Sequence, residues 1–367
     1  MPSLYIHIPF CKNKCLFCSF VVSIGKERSI DSYLDALAQE AKAYSGTHLE
    51  TVYIGGGTPT FINQTQLIRL FAIIKENFRF TFDSELTVEA NPENIDFEKA
   101  KLLRDLGANR ISLGVQSLSD KYLQFLGRPH NSHGAMVAFQ NLRKAGFTNI
   151  NLDLMFSFPS QSVAEIEDDV RRITDLQSEH LSVYTLTIEE GSRFARLNLR
   201  LENDVCQANQ YARVIELLEA KGFYQYEISN FAKPGYESRH NQIYWQGGNY
   251  IGLGLGAHSH IDAERFWNVS NLSTYLSKIK ENQSPVEGRE RLSPGERMIE
   301  TLLFGLRMTK GIEIEKIEEE FGWALPRHKR DMINEFIEEG FLIQADTCLK
   351  TTLKGRLVLD EICAKLI

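Results

Sequence analysis

Along the first two-thirds of the chain, short runs rich in β-branched and aromatic residues alternate with longer stretches whose apolar residues recur every three or four positions. The short runs, SLYIHIPF, ETVYIGGG, SELTVEAN, RISLGVQS, INLDLMF and HLSVYTLTI, read as strands. The longer stretches predict helices over roughly 30–45, 64–78, 96–106, 131–145, 162–177 and 204–221, the last stopped at Lys221-Gly222. Alternation of this kind builds parallel βαβ units. Six of them predict an α/β fold, a partial (β/α)6 TIM-like barrel over residues 1–233. Its ligand chemistry belongs at the carboxyl ends of the strands, where the βα loops gather.

After about Ala232 the pattern fades into KPGYESRHNQIYWQGGNYIGLGLGAHSH, dense in glycine, aromatic residues and histidine, which predicts a loop-rich connector over 234–293. Helical periodicity returns in GERMIETLLFGLRM, IEKIEEEF and RHKRDMINEFIEEG, followed by FLIQ, a turn, CLKTT and a final helix. That order predicts a mostly helical, winged-helix-like unit over 294–367. The unit carries 11 Lys plus Arg against 14 Asp plus Glu, a net −3 that suits packing or partner contact better than phosphate binding.

Composition narrows the picture. Of 367 residues, 43% are hydrophobic and 24% charged, as in folded globular proteins. The formal charge of −7 argues against a general nucleic-acid binder. No run approaches the ~18 apolar residues of a membrane helix, and MPSLYIHIPF has no basic region or small-residue cleavage site. A cytoplasmic protein that does not span a membrane is expected.

Three of the six cysteines, Cys11, Cys15 and Cys18, fall inside CKNKCLFC, whereas Cys206, Cys348 and Cys363 are scattered and expected to be small buried hydrophobes. In a reducing compartment such a cluster reads as metal-binding or catalytic rather than as a disulfide framework. Lys12 and Lys14 are expected to favour the thiolates that ligation needs. Structural zinc wants four closed ligands, and the chain offers no second cysteine pair or HxxxH partner. Three thiolates on an iron–sulfur cube leave one iron open to a ligand. Three unrelated reduced cysteines, or a zinc-stabilised interaction scaffold, stand as the plainer alternatives.

On the predicted barrel the cysteine loop follows the first strand and Gly55, Gly56 and Gly57 follow the second. Glu89 and Asn91 close the third strand, Gln116 the fourth, and Asp153 lies in the fifth. Without Lys-Ser/Thr the glycines are no P-loop, and they lack the GxGxxG spacing of a dinucleotide site. What singles these residues out is their shared rim.

With these residues in place, the ordered set YIHIPFCKNKCLFC, GGGTPT, TVEANPE, LGVQS, GRPH, NLDLMF and HNQIYW resembles the radical SAM superfamily over nearly the whole chain. Within it, the similarity is to the group that holds the oxygen-independent coproporphyrinogen III oxidases and the shorter haem chaperones. The resemblance implies a 4Fe-4S cluster on Cys11, Cys15 and Cys18, with S-adenosylmethionine (SAM) chelating the fourth iron. It places cofactor contacts at Tyr5, Phe17, Gly56, Gly57, Thr58, Glu89, Gln116, Arg128 and Asp153. In such a site Glu89 pairs with an ammonium, Arg128 holds a carboxylate in fork geometry and Asp153 accepts from ribose hydroxyls. Where the family reads Gly-Leu-Pro after the fifth strand, this chain has Ser157, Phe158 and Pro159, and Ser19 replaces an acidic residue common in the chaperones.

The oxidases carry a further cysteine two positions after the third ligand and an extension before the first strand. Here that position is Phe20, and four residues precede Tyr5. HNQIYW is similar to the HNxxYW element of the chaperones, which implies haem at His240, with Tyr244 and Trp245 offering faces to the macrocycle. His258 and His260 are rival ligands. The resemblance therefore implies a haem chaperone that binds a 4Fe-4S cluster and SAM and passes haem to an acceptor protein associated with the membrane. The alternative is a radical enzyme acting on a porphyrinogen.

Overall fold

The computed structural model describes residues 1–197, 199–322 and 324–367. Six parallel strands form its centre: β1 (Ser3–Ile8), β4 (His48–Gly56), β5 (Arg79–Ala90), β6 (Arg110–Gln116), β7 (Ile150–Phe156) and β8 (His180–Thr185), adjacent in that order. Two short strands, β2 (Phe10–Cys11) and β3 (Ser23–Ile24), pair in parallel and bracket the cysteine loop. Beyond β8 lie β10 (Asn230–Ala232) and then β9 (Tyr224–Glu227), both antiparallel to their neighbours.

Alternation along each strand divides two environments. Leu4 and Ile6 of β1, Val52 and Ile54 of β4, Leu86 and Val88 of β5, and Ile111 and Leu113 of β6 belong to the main apolar core, with residues of the surrounding helices. The intervening positions are polar. Register pairs Tyr5 with Tyr53, Tyr53 with Thr87, Thr87 with Arg110, Ser112 with Asn151 and Asp153 with Ser182. A strand buried on both faces is usually apolar throughout; these strands keep one polar face, and from β4 to β8 that face supplies residues to a cavity.

The helices lie where apolar spacing predicts them: Ile30–Ala41, Gln64–Asn77, Phe97–Leu106, Ser132–Lys144, Val163–Asp175 and Asp204–Ala220. Their starts are chemically marked. Asn63 with Gln66, and Ser162 with Glu165, form reciprocal capping boxes. The first helix ends earlier than expected, passing into a 3-10 turn at Lys42–Tyr44. A further helix, Asp120–Leu126, has only seven residues, too few for its periodicity to stand out.

Residues 234–293 correct the expectation of a loop-rich connector. They hold the helix Arg239–Trp245, then β11 (Tyr250–Leu253), β12 (His258–Ile261) and β13 (Glu264–Asn268), the helix Leu272–Lys280, and β14 (Val286–Arg291). β11 pairs in parallel with β1, so the sheet runs β14-β13-β12-β11-β1-β4-β5-β6-β7-β8-β10-β9. The glycines read as loop because their tertiary use is invisible locally. At Gly252, within β11, a Cβ would lie 2.0 Å from the His258 carbonyl oxygen, so close strand approach demands glycine there.

The C-terminal part has its own apolar core, built on Met298, Leu302, Leu306, Ile333, Phe336 and Leu349 among others. Its helices are Pro294–Arg307, Ile314–Phe321, Arg327–Glu338, Leu353–Leu357 and Leu359–Leu366, with a hairpin of β15 (Leu342–Ala345) and β16 (Cys348–Thr351). No helix among the described residues is long and apolar enough to cross a membrane.

Candidate cofactor site

The loop from Cys11 to Cys18 is tied down by the apolar residues between its last two cysteines. Leu16 donates its N–H to the Leu126 carbonyl (3.0 Å) and accepts from Phe194 N–H (2.9 Å). Leu16 and Phe17 pack on a small cluster that includes Tyr122, Phe158 and Phe194. All three cysteines, with Phe17, thereby line one cavity of about 1,020 Å3, whose walls include Gly56, Gly57, Thr58, Glu89, Gln116, Arg128 and Asp153. Arg307 and Arg356 of the C-terminal part line it from the other side.

The glycine turn is shaped by its neighbours. Gly56 has φ +111°, and a Cβ there would lie 2.6 Å from His7 Nδ1; at Gly57 it would lie 2.9 Å from Cys11 Sγ. Glu89 accepts from Tyr53 Oη (2.7 Å) and from Gly56 N–H (3.0 Å). Burial pushes its carboxyl up to about 7 against these stabilising donors, with the Asp153 charge adding to the rise. Asp153, likewise raised chiefly by burial, to about 6, accepts from Asn151 Nδ2 (2.7 Å).

Arg128 reaches back to the cysteine loop, its Nη1 donating to Cys15 Sγ (3.4 Å) and its Nη2 to Asn91 Oδ1 (2.9 Å) and the Gly114 carbonyl (2.7 Å). Asn91 Nδ2 donates to Thr58 Oγ1 (3.1 Å), and Thr58 contacts Cys11 Sγ (3.3 Å). Asn91 is thus the link between the glycine turn and Arg128. The lysines do not set the state of Cys11: burial dominates and pushes that thiol up to about 11. At Cys18 burial again dominates and raises the thiol, with Lys14 acting in the opposite direction.

The donor set fits an iron–sulfur cluster with a chelating ligand. Three thiols, a glycine turn free of side chains and a fixed guanidinium face the same cavity. Among the described residues no three His, Cys, Asp or Glu side chains converge as on a single ion. Tyr5 stands apart from this wall: its hydroxyl bonds to His7 Nδ1 (3.0 Å) and its ring stacks on Tyr53. Tyr53, Arg110, Asn151 and Ser182 also line the cavity and were not expected. The signal for Tyr53, Asn151 and Ser182 is the every-second-residue polar row in the strands; Arg110, at a strand start, gives none.

His240 lies away from the cysteines, inside the fold. It is 1% exposed, in the helix Arg239–Trp245 packed against β4. Thr51 donates to Ser3 (2.7 Å), so His240 Nδ1–H donates to Thr51 Oγ1 (2.7 Å) and Nε2 accepts from Tyr244 Oη (2.8 Å). Burial, then the Arg110 charge, holds its pKa down to about 3. A neutral ring with both nitrogens engaged presents none to haem in this conformation. Trp245 lies against Arg307 (4.3 Å to the ring centroid) and Phe304, and Tyr244 meets His240 and Tyr250 at steep angles; both side chains are half-buried. Of this element only Asn241 reaches the cavity. His260 is buried on β12, and His258 is exposed beside it, stacked on Trp267.

A parallel partial barrel whose cysteine loop and glycine turn share one rim is the radical SAM fold, and sequence comparison agrees. The Radical SAM superfamily matches residues 5–173, and the HemN C-terminal domain matches residues 292–358. The Heme chaperone HemW of Bacillus subtilis strain 168 is 37% identical over 371 residues, covering 99% of this chain and 98% of the relative. That of Lactococcus lactis strain IL1403 is 34% identical, covering 96% and 94%. The solved coproporphyrinogen III oxidase HemN of Escherichia coli superposes with a TM-score of 0.89 at 25% identity, over 100% of this chain and 90% of that one. The chain belongs to the HemW family of radical SAM proteins.

Proposed function

We propose that the protein is a haem chaperone: it holds a 4Fe-4S cluster and SAM in the barrel and passes haem to an acceptor protein at the membrane from the cytoplasm. In this reading Cys11, Cys15 and Cys18 hold three irons, and the rim from Gly56 to Thr58, with Phe17, Glu89, Gln116, Arg128 and Asp153, holds SAM at the fourth. The bound pair would supply one-electron chemistry. Tyr5 acts from behind, through Tyr53. The observation that carries the reading is the convergence of the cysteines, the glycine turn, Glu89 and Arg128 on one cavity. The names of the relatives supply the haem role. Residues 1–233 form the cofactor-binding core, 234–293 its extension, and 294–367 the unit that flanks the cavity.

A second reading, a radical enzyme acting on a porphyrinogen, is favoured by the superposition with the oxidase. Against it stands Phe20, where the oxidases carry another cysteine. Anaerobic reconstitution separates the two. The chaperone reading expects an electron paramagnetic resonance shift on adding SAM, stoichiometric haem binding and no 5′-deoxyadenosine with a porphyrinogen. Substrate-dependent propionate decarboxylation would overturn it.

A further inference from the structure

The first residue of β6, Arg110, is 2% exposed and lines the cavity. Its Nε and Nη2 atoms are buried without a hydrogen-bond partner. Those two nitrogens form one edge of the guanidinium, the pair of parallel donors that matches a carboxylate bidentately. A buried charge without partners is costly, and structures that keep one usually have a ligand or function for it.

The neighbouring acids are committed elsewhere. Asp153 is held by Asn151, and Glu89 by Tyr53 and Gly56. Glu85 accepts from Ser238 Oγ and from the backbone N–H groups of Arg239 and His240. The imidazoles on this side are neutral, since burial lowers both His180 and His240. Arg110 is therefore a cation of the inner wall with no ion-pair partner among the described residues, and an arriving anion meets it rather than a formed ion pair; Arg356, whose Nε is also buried without a partner, belongs to the C-terminal part.

We propose that Arg110 anchors a carboxylate of a second organic ligand, which lies deeper in the barrel than SAM and is clasped through Nε and Nη2. Distance separates this subsite from the SAM carboxylate. Six residues of strand, about 20 Å of rise, separate the Arg110 backbone from Gln116 at the rim. Arg128, not Arg110, stands beside Cys15. The identity of the ligand rests on the haem reading above, in which the carboxylate is a propionate; the anion subsite itself does not.

The test uses the full chain, cluster-loaded and with SAM. Haem and its dimethyl ester are titrated by absorbance against wild type, Arg110→Gln and Arg110→Lys, and free propionate is followed by saturation-transfer NMR. Haem affinity is expected to fall at least tenfold in Arg110→Gln, and less in Arg110→Lys, with the SAM-dependent paramagnetic shift kept. The ester is expected to bind wild type as weakly as haem binds Arg110→Gln. The propionate saturation-transfer signal should weaken in Arg110→Lys and vanish in Arg110→Gln. Equal affinities of haem and ester for wild type overturn the proposal, even if Arg110→Gln fails to fold. Loss of the SAM shift with haem binding intact also overturns it, by assigning the fork to SAM. Propionate binding through Arg110 without haem binding supports the subsite and removes the haem reading instead.

Discussion

Single residues carry the clearest physical tension. Ser157 stands where the family resemblance expects glycine, and it holds φ 62° with a buried hydroxyl lacking a partner. Left-handed backbone costs a non-glycine residue about 1 kcal/mol or more, and an unpaired buried hydroxyl about 1–3 kcal/mol. The extra chain entropy of glycine returns about 0.5–1 kcal/mol. Ser157→Gly is therefore expected to stabilise the protein by about 1 kcal/mol, read as a higher denaturant midpoint at unchanged slope.

Glu89 gives a pH dependence with a defined sign. Its folded value, about 7, lies above the ordinary 4.5, so folding favours the neutral acid. That stabilisation is complete below pH 4.5 and lost as pH rises through 7. Melting of the cofactor-free protein should fall over this window, and Glu89→Gln should flatten the fall. With SAM seated as proposed, its amino group donating to the ionised carboxylate, SAM should bind about tenfold more tightly at pH 8 than at pH 6, a dependence absent from Glu89→Gln in calorimetric titration. Asp153 acts in the same direction near pH 6.

At the scale of elements, the helix Arg239–Trp245 adjoins the barrel end opposite the cysteines. Glu85 of β5 accepts from its first backbone N–H groups, and His240 fills the space against Thr51 and Tyr53, its ring 5.0 Å from Tyr53 and nearly parallel. Tyr53 in turn holds Glu89. His240→Ala removes two buried hydrogen bonds and a stacked ring, an expected loss of about 2–4 kcal/mol. Because the effect passes through Tyr53, the SAM-dependent paramagnetic shift should weaken as well. Haem binding lost with the SAM response unchanged would contradict this positioning role and return His240 to haem ligation.

The elements also show where sequence reading reaches its limit. Helices 64–77 and 163–175 were readable because apolar spacing and capping boxes are local signals. β11 to β14 were not, since strands as short and mixed as YIGL, HSHI, ERFWN and VEGRER declare themselves only through their neighbours. For the site, the cysteines, Gly56, Gly57, Glu89 and Asp153 were readable as strand-end chemistry. Arg110 was not: at the start of a strand a lone arginine looks like a surface residue, and only closure of the sheet buries it.

For the molecule as a whole, the question is how the C-terminal part is fastened beside the cavity. Glu227 is fully buried at the end of β9 and accepts from Arg307 Nε (2.9 Å), Ser229 N–H and Asn230. Thr309 N–H donates to the Tyr226 carbonyl (3.0 Å), and Met308 bridges to Glu227. Removing one partner of a buried ion pair leaves the other charge stranded. With Arg307 partly exposed, Arg307→Met is expected to cost about 2–3 kcal/mol. It should loosen the C-terminal part first, seen as a second, earlier transition in urea unfolding followed by tryptophan fluorescence.

The order of residues alone decided the six parallel strands and the longer helices between them, the cysteine loop and the glycine turn, because periodicity, capping and motif spacing act over a few neighbours. Which polar side chains meet inside the barrel, the burial that raises Glu89 and lowers His240, and the free edge of Arg110 came only with the closed sheet. Those properties depend on groups separated by 33 residues, as Gly56 and Glu89 are, to 189, as Thr51 and His240 are, being brought together away from water, and no local pattern encodes that meeting.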